Sequence, residues 1–384
     1  MQPPDPRAIL AVLALAAPTL AVQEPPPPGA VAPQVSANPQ LSPIAERLAQ
    51  RLAAMEALEF AKPMSTGVDE LTSLLTDNTQ YVPVIDGWLY ARSLRFERFM
   101  DGPQPGEVFD PERYYSPGGP PLAAILDFHR QLEERGIELL VVPIPTRLHV
   151  YPELVVGPFA GGEADTEKVE EFEGYAIGLT RFLLELTEAG VEVVDLLPAL
   201  ARARESHLAP DADQVFLRGN GHWSPKGVVV AARVLAERVR AAPWYESIKP
   251  RKSQEPDRFE RTWSYRSQKL AEGAEPPVLE FERVLNGRGR MVEYDSDSPV
   301  LVLGDSFVSL FTPEGADLAR QMHRFSGLPM DVISNPGGAA QGSRVTLARR
   351  KGGPRGKRMV IWLWASESLM MPADKWKAID VFGR

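Results

Sequence analysis

The chain has 384 residues, of which 44% are hydrophobic and 24% charged, a composition typical of a globular protein with a substantial core. Its formal net charge is −9, whereas nucleic-acid-binding domains usually carry a basic footprint, so we expect no nucleic-acid partner. The chain has no cysteine, which excludes disulfides, thiolate zinc sites and a cysteine nucleophile.

The first residues predict an exported protein. The run RAILAVLALAAPTLAV, which begins at Arg7, has the length of a signal-peptide core and is short for a membrane span, which takes roughly 20 apolar residues. Small residues around Thr19 and Ala21 fit a cleavage site, so residues 1–21 are predicted to be a signal peptide, with an uncleaved anchor as the alternative. Residues 22–43 are proline-rich and predict an extended linker. We therefore expect the protein in the periplasm or otherwise exported.

The elements that follow begin with helices and end with an alternation of helices and strands. Residues 44–80 show helical periodicity and predict an N-terminal helical segment, and YVPVIDGWLYARS predicts a hairpin that turns at Asp86-Gly87. Amphipathic patterns predict later helices over 120–136, 166–190, 224–242, 313–327 and 342–351. Apolar runs predict strands within 137–145, 191–200, 298–306, 329–335 and 358–364.

This alternation predicts an α/β fold. Strands made almost entirely of Val, Ile and Leu and separated by helices are typical of a parallel sheet with helices on both faces. Residues 243–297 are polar and predict an irregular insertion into that fold. In such sheets ligands bind beyond the carboxyl ends of the strands, so the residues that follow each strand are the candidates for a site.

One strand ends in Gly304-Asp305-Ser306. Glycine permits a sharp turn, the serine hydroxyl would then point away from the strand end, and the helix that follows would direct N–H groups at a developing oxyanion. These features fit a nucleophile. A turn capped by a side chain is the alternative.

A serine nucleophile needs a base, and His222 is the strongest candidate among five histidines. It lies between glycine-bearing turns and a helix with Ser224 as N-cap and Pro225 in its first turn. Trp223 either walls a pocket or belongs to the core. His149 follows a strand and stays a second candidate, whereas the remaining three lie in amphipathic helices or a polar loop: His129, His207 and His323.

Further candidates follow two strands. Asn335, Gly337 and Gly338 are positioned to complete an oxyanion hole, or they form a glycine loop that leads into a helix. After that loop, Gln341 and Arg344 are candidates for contact with substrate. Arg147 follows the strand that ends at Pro145 and either meets an anionic or hydroxyl-rich ligand or is a solvated loop charge.

Four stretches resemble the SGNH (GDSL-like) hydrolase superfamily and, more closely, its AlgX/AlgJ-like alginate O-acetyltransferase group. They are VIDGWLY, LLVVPIPTRLHVYPE, VFLRGNGHWSPKGVVVAARVLAERV and LVLGDSFVS. The histidine motif precedes the serine motif, which is typical of this group and the reverse of ordinary GDSL esterases. The resemblance covers about residues 80–365 and implies that residues 81–384 form an SGNH-like (flavodoxin-like) domain whose chemistry needs no cofactor or metal.

The resemblance implies a role for each motif residue. Ser306 matches the nucleophile that takes up an acetyl group, and His222 matches the base. The family has an aspartate where this chain has Asn220, which can orient the imidazole but cannot offset the charge of an imidazolium. Asp211 and Asp213 lie nearby in sequence and are possible substitutes.

Three hypotheses follow from these motifs. The chain is an exported O-acetyltransferase that acts on a polysaccharide and receives acetyl groups through a membrane-bound acyltransferase, an SGNH esterase that releases acetate, or a weakly active or inactive carbohydrate-binding assembly protein. In each case the basic stretch RRKGGPRGKR (residues 349–358) either helps hold a polyanion or is a solvated loop.

Overall fold

A five-stranded parallel sheet organises the protein. The computed structural model describes residues 41–58, 61–76, 79, 81–84, 87–102, 108–110, 113–155, 174–206, 209–218, 220–248, 256–264 and 276–383. In these ranges the strands are β1 (Tyr81–Val84), β2 (Gly87–Tyr90), β3 (Glu138–Ile144), β4 (Glu192–Val193), β5 (Asp257–Thr262), β6 (Val278–Arg283), β7 (Val300–Gly304), β8 (Asp331–Ser334) and β9 (Met359–Ala365).

The helices of the described ranges precede, connect and follow these strands. They are α1 (Leu41–Glu56), α2 (Ala61–Ser73), α3 (Ala91–Asp101), α4 (Pro120–Glu133), α5 (Arg147–Val150), α6 (Ile177–Glu188), α7 (Leu197–Ala203), α8 (Pro225–Arg240), α9 (Ser306–Ser309), α10 (Leu318–Ser326) and α11 (Ala339–Arg349).

The central sheet has the strand order β4-β3-β9-β7-β8, and every neighbouring pair is parallel. In the middle strand, Met359 is in register with Glu138 on one side and Val300 on the other, and six of its seven residues are buried. Burial from both faces explains why this strand reads as an uninterrupted apolar run. The predicted α/β class is confirmed.

Helices cover both faces because the crossovers run in two directions. The β3-to-β4 connection moves one way along the sheet and the β7-to-β8 connection moves the other way, and right-handed crossovers then place α6 and α10 on opposite faces. Phe182 of α6 contacts Trp364, and Phe128 of α4 contacts Trp362 on the same face of β9. On the other face α8 packs against α10.

The N-terminal helices pack on the main domain. α1 and α2 occupy the segment predicted to be helical, but α1 begins at Leu41, three residues before the predicted start of that segment at residue 44. An ion pair joins Arg51 to Asp195, and Met55 is fully buried. The predicted signal peptide and linker residues up to 40 lie outside the described residues. Within the described ranges no helix is long and apolar enough to cross a membrane.

Several predicted elements have different bounds in the structure. The hairpin forms as β1 and β2, although Asp86 of its predicted turn lies outside the described residues. Of the helix expected over 166–190, residues 166–173 lie outside the described residues, 174–176 are not helical, and α6 begins at Ile177. The strand expected over 191–200 is two residues long. The side chain of Asp195 accepts the N–H of Leu197 at 3.0 Å, and Pro198 lies in the first turn of α7, where proline favours a helix. The strand therefore ends before these residues.

The insertion at 243–297 is more regular than its composition predicted. β5 and β6 form an antiparallel pair outside the main sheet. Trp263 and Phe281 from this insertion pack on Phe311, with ring centroids 5.2 and 5.3 Å away. Phe311 has a φ of +67°, so the insertion supports a strained turn that follows α9.

Candidate active site

Ser306 lies at the carboxyl end of β7, on the first residue of α9. The turn requires glycine at position 304, because a Cβ there would lie 2.2 Å from the carbonyl oxygen of Leu363 on β9. Asp305 is the N-cap of α9. Its two carboxylate oxygens accept the N–H of Phe307 at 3.0 Å and the N–H of Ala365 at 2.9 Å.

Asp305 therefore ties the serine turn to the end of the neighbouring strand β9. Its side chain is buried, and burial raises the pKa of the carboxyl while the bonds from the two backbone N–H groups lower it. Ser334, at the end of β8, donates to the carbonyl oxygen of Asp305 at 2.8 Å. Three strands thus hold the backbone on which Ser306 stands.

His222 lies in a tight turn that leads into α8. The N–H of Leu217 donates to the carbonyl oxygen of His222 at 3.0 Å, and the N–H of Ser224 donates to that of Val215 at 2.9 Å. The hydroxyl of Ser224 then accepts the N–H of Gly227 at 3.2 Å and caps α8, as its sequence predicts. Position 227 also excludes larger side chains, since a Cβ there would lie 2.2 Å from the carbonyl oxygen of Val215.

The structure brings together three of the predicted residues, although 84 positions separate His222 from Ser306. His222 Nε2 lies 2.7 Å from Ser306 Oγ, and His222 Nδ1 lies 2.5 Å from Asn220 Oδ1. This order of contacts, with an orienting group, an imidazole and a hydroxyl, is the arrangement that activates a serine nucleophile.

Asn220 selects the tautomer of this imidazole. Its Oδ1 also accepts the backbone N–H of His222 at 3.1 Å, and a backbone N–H can only donate, so the amide turns its oxygen toward the ring. Nδ1 must then carry the ring proton, so Nε2 is unprotonated and can accept the proton of Ser306. In a serine protease, an asparagine in place of the aspartate gave the wrong tautomer; here the backbone N–H prevents that outcome.

The surroundings of His222 are apolar on one side. Its ring centroid lies 4.7 Å from that of Phe307, and the fully buried Trp223 contacts Phe307 from behind at 5.2 Å. Trp223 is therefore a core residue beneath the site. Burial lowers the pKa of His222 to about 4, so the imidazole is neutral at neutral pH.

A depressed pKa makes stability depend on pH. Between pH 6.5 and about 4 the unfolded state binds more protons at His222 than the folded state, so the folded protein loses stability as the pH falls through this range. The loss amounts to at most about 3 kcal/mol. In denaturant unfolding at pH 7 and pH 4.5, we expect His222→Gln to lose less stability than the wild type on acidification. Equal losses in the two proteins would contradict the assignment.

The predicted substitutes for a triad aspartate have other contacts. Asp211 forms an ion pair with Arg218 at 3.2 Å. Asp213 is exposed, and its carbonyl oxygen accepts the amino group of Lys226 at 2.9 Å. Asn220 is the side chain that the structure places on His222 Nδ1.

Two of the three predicted oxyanion residues after β8, Asn335 and Gly338, are directed elsewhere. The amide nitrogen of Asn335 donates to the carbonyl oxygen of Gly342 at 3.1 Å and to the hydroxyl of Thr346 at 3.2 Å, so it holds α11. The N–H of Gly338 donates to the carbonyl oxygen of Asn335 at 2.9 Å. Gly337 has a φ of +77° and lines, with Gly338 and Gln341, a cavity of about 290 Å³ beside α11. Asn335 and Gly338 are therefore loop residues that support the helix.

Two arginines predicted to meet a ligand are buried. Arg344 is 0% exposed, packs over Trp362 at 4.8 Å and donates to the carbonyl oxygen of Ala124 at 3.3 Å, because α11 begins at Ala339 and turns this side chain inward. Arg147 is 2% exposed and donates to the carbonyl oxygen of Arg218 at 2.6 Å. Burial lowers the pKa of each to about 10. Neither is placed to bind an external ligand, contrary to the prediction.

His149 is a structural residue. Its Nδ1 accepts the N–H of Thr146 at 3.0 Å, so the ring proton lies on Nε2, which contacts Glu97. The ring is fully buried, and the capping box with Thr146 fixes the start of α5. His222 therefore stays the candidate base. His207 lies outside the described residues.

The basic stretch 349–358 lies away from this site. It precedes β9 and so reaches the amino end of a parallel sheet, opposite the edge that carries Ser306. Arg350 and Lys357 both pair with Asp331, at 2.5 and 2.8 Å, so part of its charge serves the fold. A polyanion held by this stretch would therefore lie at the edge of the sheet opposite Ser306.

Three further contacts support the site, and they come from Phe307, Ser334 and the second carboxylate oxygen of Asp305. Phe307 follows Ser306 directly and contacts His222. Its position next to the nucleophile in the sequence could have indicated that it lies at the site. Ser334 and the second oxygen of Asp305 had no such signal, because their partners come from other strands. In the part of the chain that the structure describes, no group of three or more His, Asp or Glu side chains is placed to hold a metal ion.

Comparison with known proteins points to one family. Residues 120–309 match the family model described as "SGNH hydrolase-like domain, acetyltransferase AlgX". The probable alginate O-acetylase AlgJ of Pseudomonas aeruginosa is 28% identical over 155 residues, which are 40% of this chain and 32% of that protein. The alginate biosynthesis protein AlgX of Pseudomonas syringae pv. tomato is 31% identical over 136 residues, 35% of this chain and 25% of that protein.

These matches span about a third or less of the curated relatives' length. The solved structure of Pseudomonas aeruginosa AlgX aligns with a TM-score of 0.52 and 18% identity, covering 80% of this chain and 67% of that one, which shows a common fold. The predicted resemblance to the SGNH superfamily and its AlgX/AlgJ-like group is confirmed.

Proposed function

We propose that this chain, whose residues 120–309 match the family model of the SGNH hydrolase-like domain of acetyltransferase AlgX, transfers acetyl groups to hydroxyls of an alginate-like exopolysaccharide. The observation that carries the proposal is the 2.7 Å contact between Ser306 Oγ and His222 Nε2, with the tautomer selected by Asn220. A neutral imidazole whose unprotonated Nε2 contacts the serine hydroxyl is a competent general base.

The first half of the reaction forms an acyl-enzyme. Ser306 Oγ attacks the carbonyl carbon of an acetyl ester donor while its proton passes to His222 Nε2. The bond between the acetyl carbon and the donor oxygen then breaks, and the leaving oxygen takes the proton from Nε2. The products are acetylated Ser306, a neutral His222 and the deacetylated donor.

The second half transfers the acetyl group. A sugar hydroxyl attacks the acyl carbon, its proton passes to His222 Nε2, and the bond to Ser306 Oγ breaks as the serine recovers that proton. The names of the curated relatives, an alginate O-acetylase and an alginate biosynthesis protein, support a polysaccharide acceptor. With water as acceptor the same acyl-enzyme would release acetate, which is the esterase alternative.

The location and donor complete the proposal. The apolar run after Arg7 supports export to the periplasm, where a membrane-bound acyltransferase would supply the acetyl donor. The contacts of His222 with Asn220 and Ser306 favour an enzyme over an inactive carbohydrate-binding protein, because Asn220 orients the imidazole as an aspartate would.

An activated aryl acetate tests the acyl-enzyme. With the full chain we expect mass spectrometry to find one added acetyl group on the peptide that contains Ser306, and none in Ser306→Ala. Ser309→Ala is the matched control, because Ser309 lies one turn along the same short helix with its Oγ 2.9 Å from that of Ser334. It should keep the adduct. No adduct in the wild type, or the same adduct in Ser306→Ala, would refute the proposal.

An acceptor distinguishes transferase from esterase. When a uronate oligosaccharide is added to the acetylated protein, a transferase should place acetyl on the sugar, and an esterase should release acetate at the rate seen without sugar. A neutral oligosaccharide of the same length tests whether the acceptor must be anionic. Acetate as the sole product with both sugars would favour the esterase.

A further inference from the structure

The two members of the Ser306–His222 pair are fixed by different parts of the fold. Ser306 stands on β7 and is tied to β9 through Asp305. His222 lies on the segment that leads into α8, whose described residues 214–218 and 220–224 we call the histidine loop. No strand of the central sheet includes this loop, so something else must hold it where Nε2 meets Ser306 Oγ.

We infer that Arg147 and Tyr151, at the two ends of α5, are positioning residues that hold the histidine loop in register with Ser306. This inference rests on the proposed function only in taking His222 as the base for Ser306. α5 follows β3 directly, so a residue on it shares the rigid frame of the sheet.

Arg147 holds the middle of the histidine loop. Its Nη1 donates to the carbonyl oxygen of Arg218 at 2.6 Å, two residues before Asn220 and four before His222. The guanidinium is almost fully buried, which is costly for a cation unless its hydrogen bonds are well made. An arginine kept there at such a cost fits a contact that sets the position of the loop.

Tyr151 holds the histidine loop near its first residue. Its buried hydroxyl accepts the N–H of Val215 at 3.1 Å, and Val215 in turn accepts the N–H of Ser224, which caps α8. The guanidinium of Arg147 lies 5.7 Å from the centre of the Tyr151 ring. The histidine loop is thus attached at two points, Val215 and Arg218, to one short stretch of chain after β3.

α5 is itself held in place from two sides. Thr146 and His149 form its capping box, and His149 contacts the buried Glu97 of α3. Arg204, at the end of α7, donates to the carbonyl oxygen of Val150 at 2.6 Å and pairs with Glu153. The anchor for the histidine loop is therefore rigid.

Loss of the anchor should change the pKa of His222, which a loss of stability elsewhere in the protein would not do. If the loop shifts, His222 gains water, and the burial that lowers its pKa to about 4 is relieved. Its titration should then move toward the ordinary value of 6.5. A displacement of about 1 Å at a catalytic group lowers rates by about 10²-fold.

The test compares two buried arginines. Arg147→Met removes the anchor, and Arg344→Met is the matched control, because Arg344 is also buried, also donates to a backbone carbonyl and lies under α4. NMR titration of the imidazoles, with the His222 signal identified through His222→Gln, is the main readout. Thermal unfolding and the rate of Ser306 acetylation by an aryl acetate complete it.

We expect the His222 midpoint to rise by at least about one pH unit in Arg147→Met and to stay unchanged in Arg344→Met. Acetylation should fall about 10²-fold in the first variant only, although both lose stability. Arg147→Lys, which keeps a cationic donor, should restore part of the rate. Tyr151→Phe removes only the hydroxyl and should move the midpoint in the same direction, so it replaces Arg147→Met if that protein does not fold.

An unchanged His222 midpoint in folded Arg147→Met and Tyr151→Phe would overturn the inference, and so would an equal shift in Arg344→Met. The titration needs no turnover. If the wild-type protein forms no acetyl adduct but Arg147→Met and Tyr151→Phe still shift the His222 midpoint, the proposed function is refuted and the positioning role stays intact.

Discussion

Asn220→Ala is expected to lower kcat/KM for acetylation of Ser306 by about 10²- to 10⁴-fold. Without Oδ1 the proton of His222 is no longer held on Nδ1, and the tautomer with the proton on Nε2 cannot accept the serine proton. The loss should appear in kcat more than in KM, because the contact orients the base and touches no substrate. Stopped-flow measurement with an aryl acetate checks this.

Asn220→Asp is expected to act in the opposite direction. A carboxylate on Nδ1 would preserve the tautomer and stabilise the imidazolium, so the pKa of His222 should rise from about 4 and the acid limb of the pH–rate profile should move upward by the same amount. At pH 7 we expect a gain of about 10-fold or more, since one pKa unit corresponds to about 1.4 kcal/mol. The wild type should keep its activity to lower pH than this variant.

Asn286→Asp is the matched control for both changes. Like that of Asn220, the Oδ1 of Asn286 accepts a backbone N–H two residues ahead, here that of Arg288, and it also accepts the N–H of Arg290. Asn286 lies in a turn of the insertion. Its replacement should leave the pH profile unchanged. A rate for Asn220→Ala within about threefold of wild type, or an acid limb that does not move in Asn220→Asp, would show that another group orients His222.

Gly304→Ala is the substitution expected to damage the fold most directly at the site. The added Cβ would lie 2.2 Å from the carbonyl oxygen of Leu363 and 2.6 Å from Cγ2 of Val308. β7 cannot retreat without breaking its ladder to β9, so we expect a loss of about 3 kcal/mol in the free energy of unfolding. Ser306 would also move away from His222, and acetylation should fall in whatever protein still folds.

Gly136→Ala serves as the comparison in denaturant unfolding. Gly136 has a φ of +66° but no atom within 4 Å of the added Cβ, so only backbone strain of about 1–2 kcal/mol is expected. If Gly304→Ala were no less stable than Gly136→Ala, the close approach of β7 to β9 would not be the reason for glycine at position 304.

The elements with strong local signals could be predicted from the sequence. β3, β7 and β9 are uninterrupted apolar runs because both faces of the sheet are covered, and this burial is visible in composition alone. The start of α8 was also predicted from the sequence, since Ser224 as N-cap and Pro225 in the first turn are local signals for a helix start. Where signals were weaker, as at the start of α6 or the length of β4, the predicted bounds were wrong.

Residue types and their order along the chain made Ser306 and His222 candidates, because a hydroxyl at a strand end and a histidine before a capped helix are local patterns. Asn220 followed only from the resemblance to the AlgX/AlgJ-like group. The tertiary structure decided which of the remaining polar residues are buried. Arg147 and Arg344 look like surface charges in sequence, yet each meets a backbone carbonyl from a distant segment. The tautomer of His222 was likewise decided by folding, since it depends on where the backbone N–H of one turn points. Such contacts join residues far apart in the chain or depend on exact backbone geometry, which no local pattern encodes.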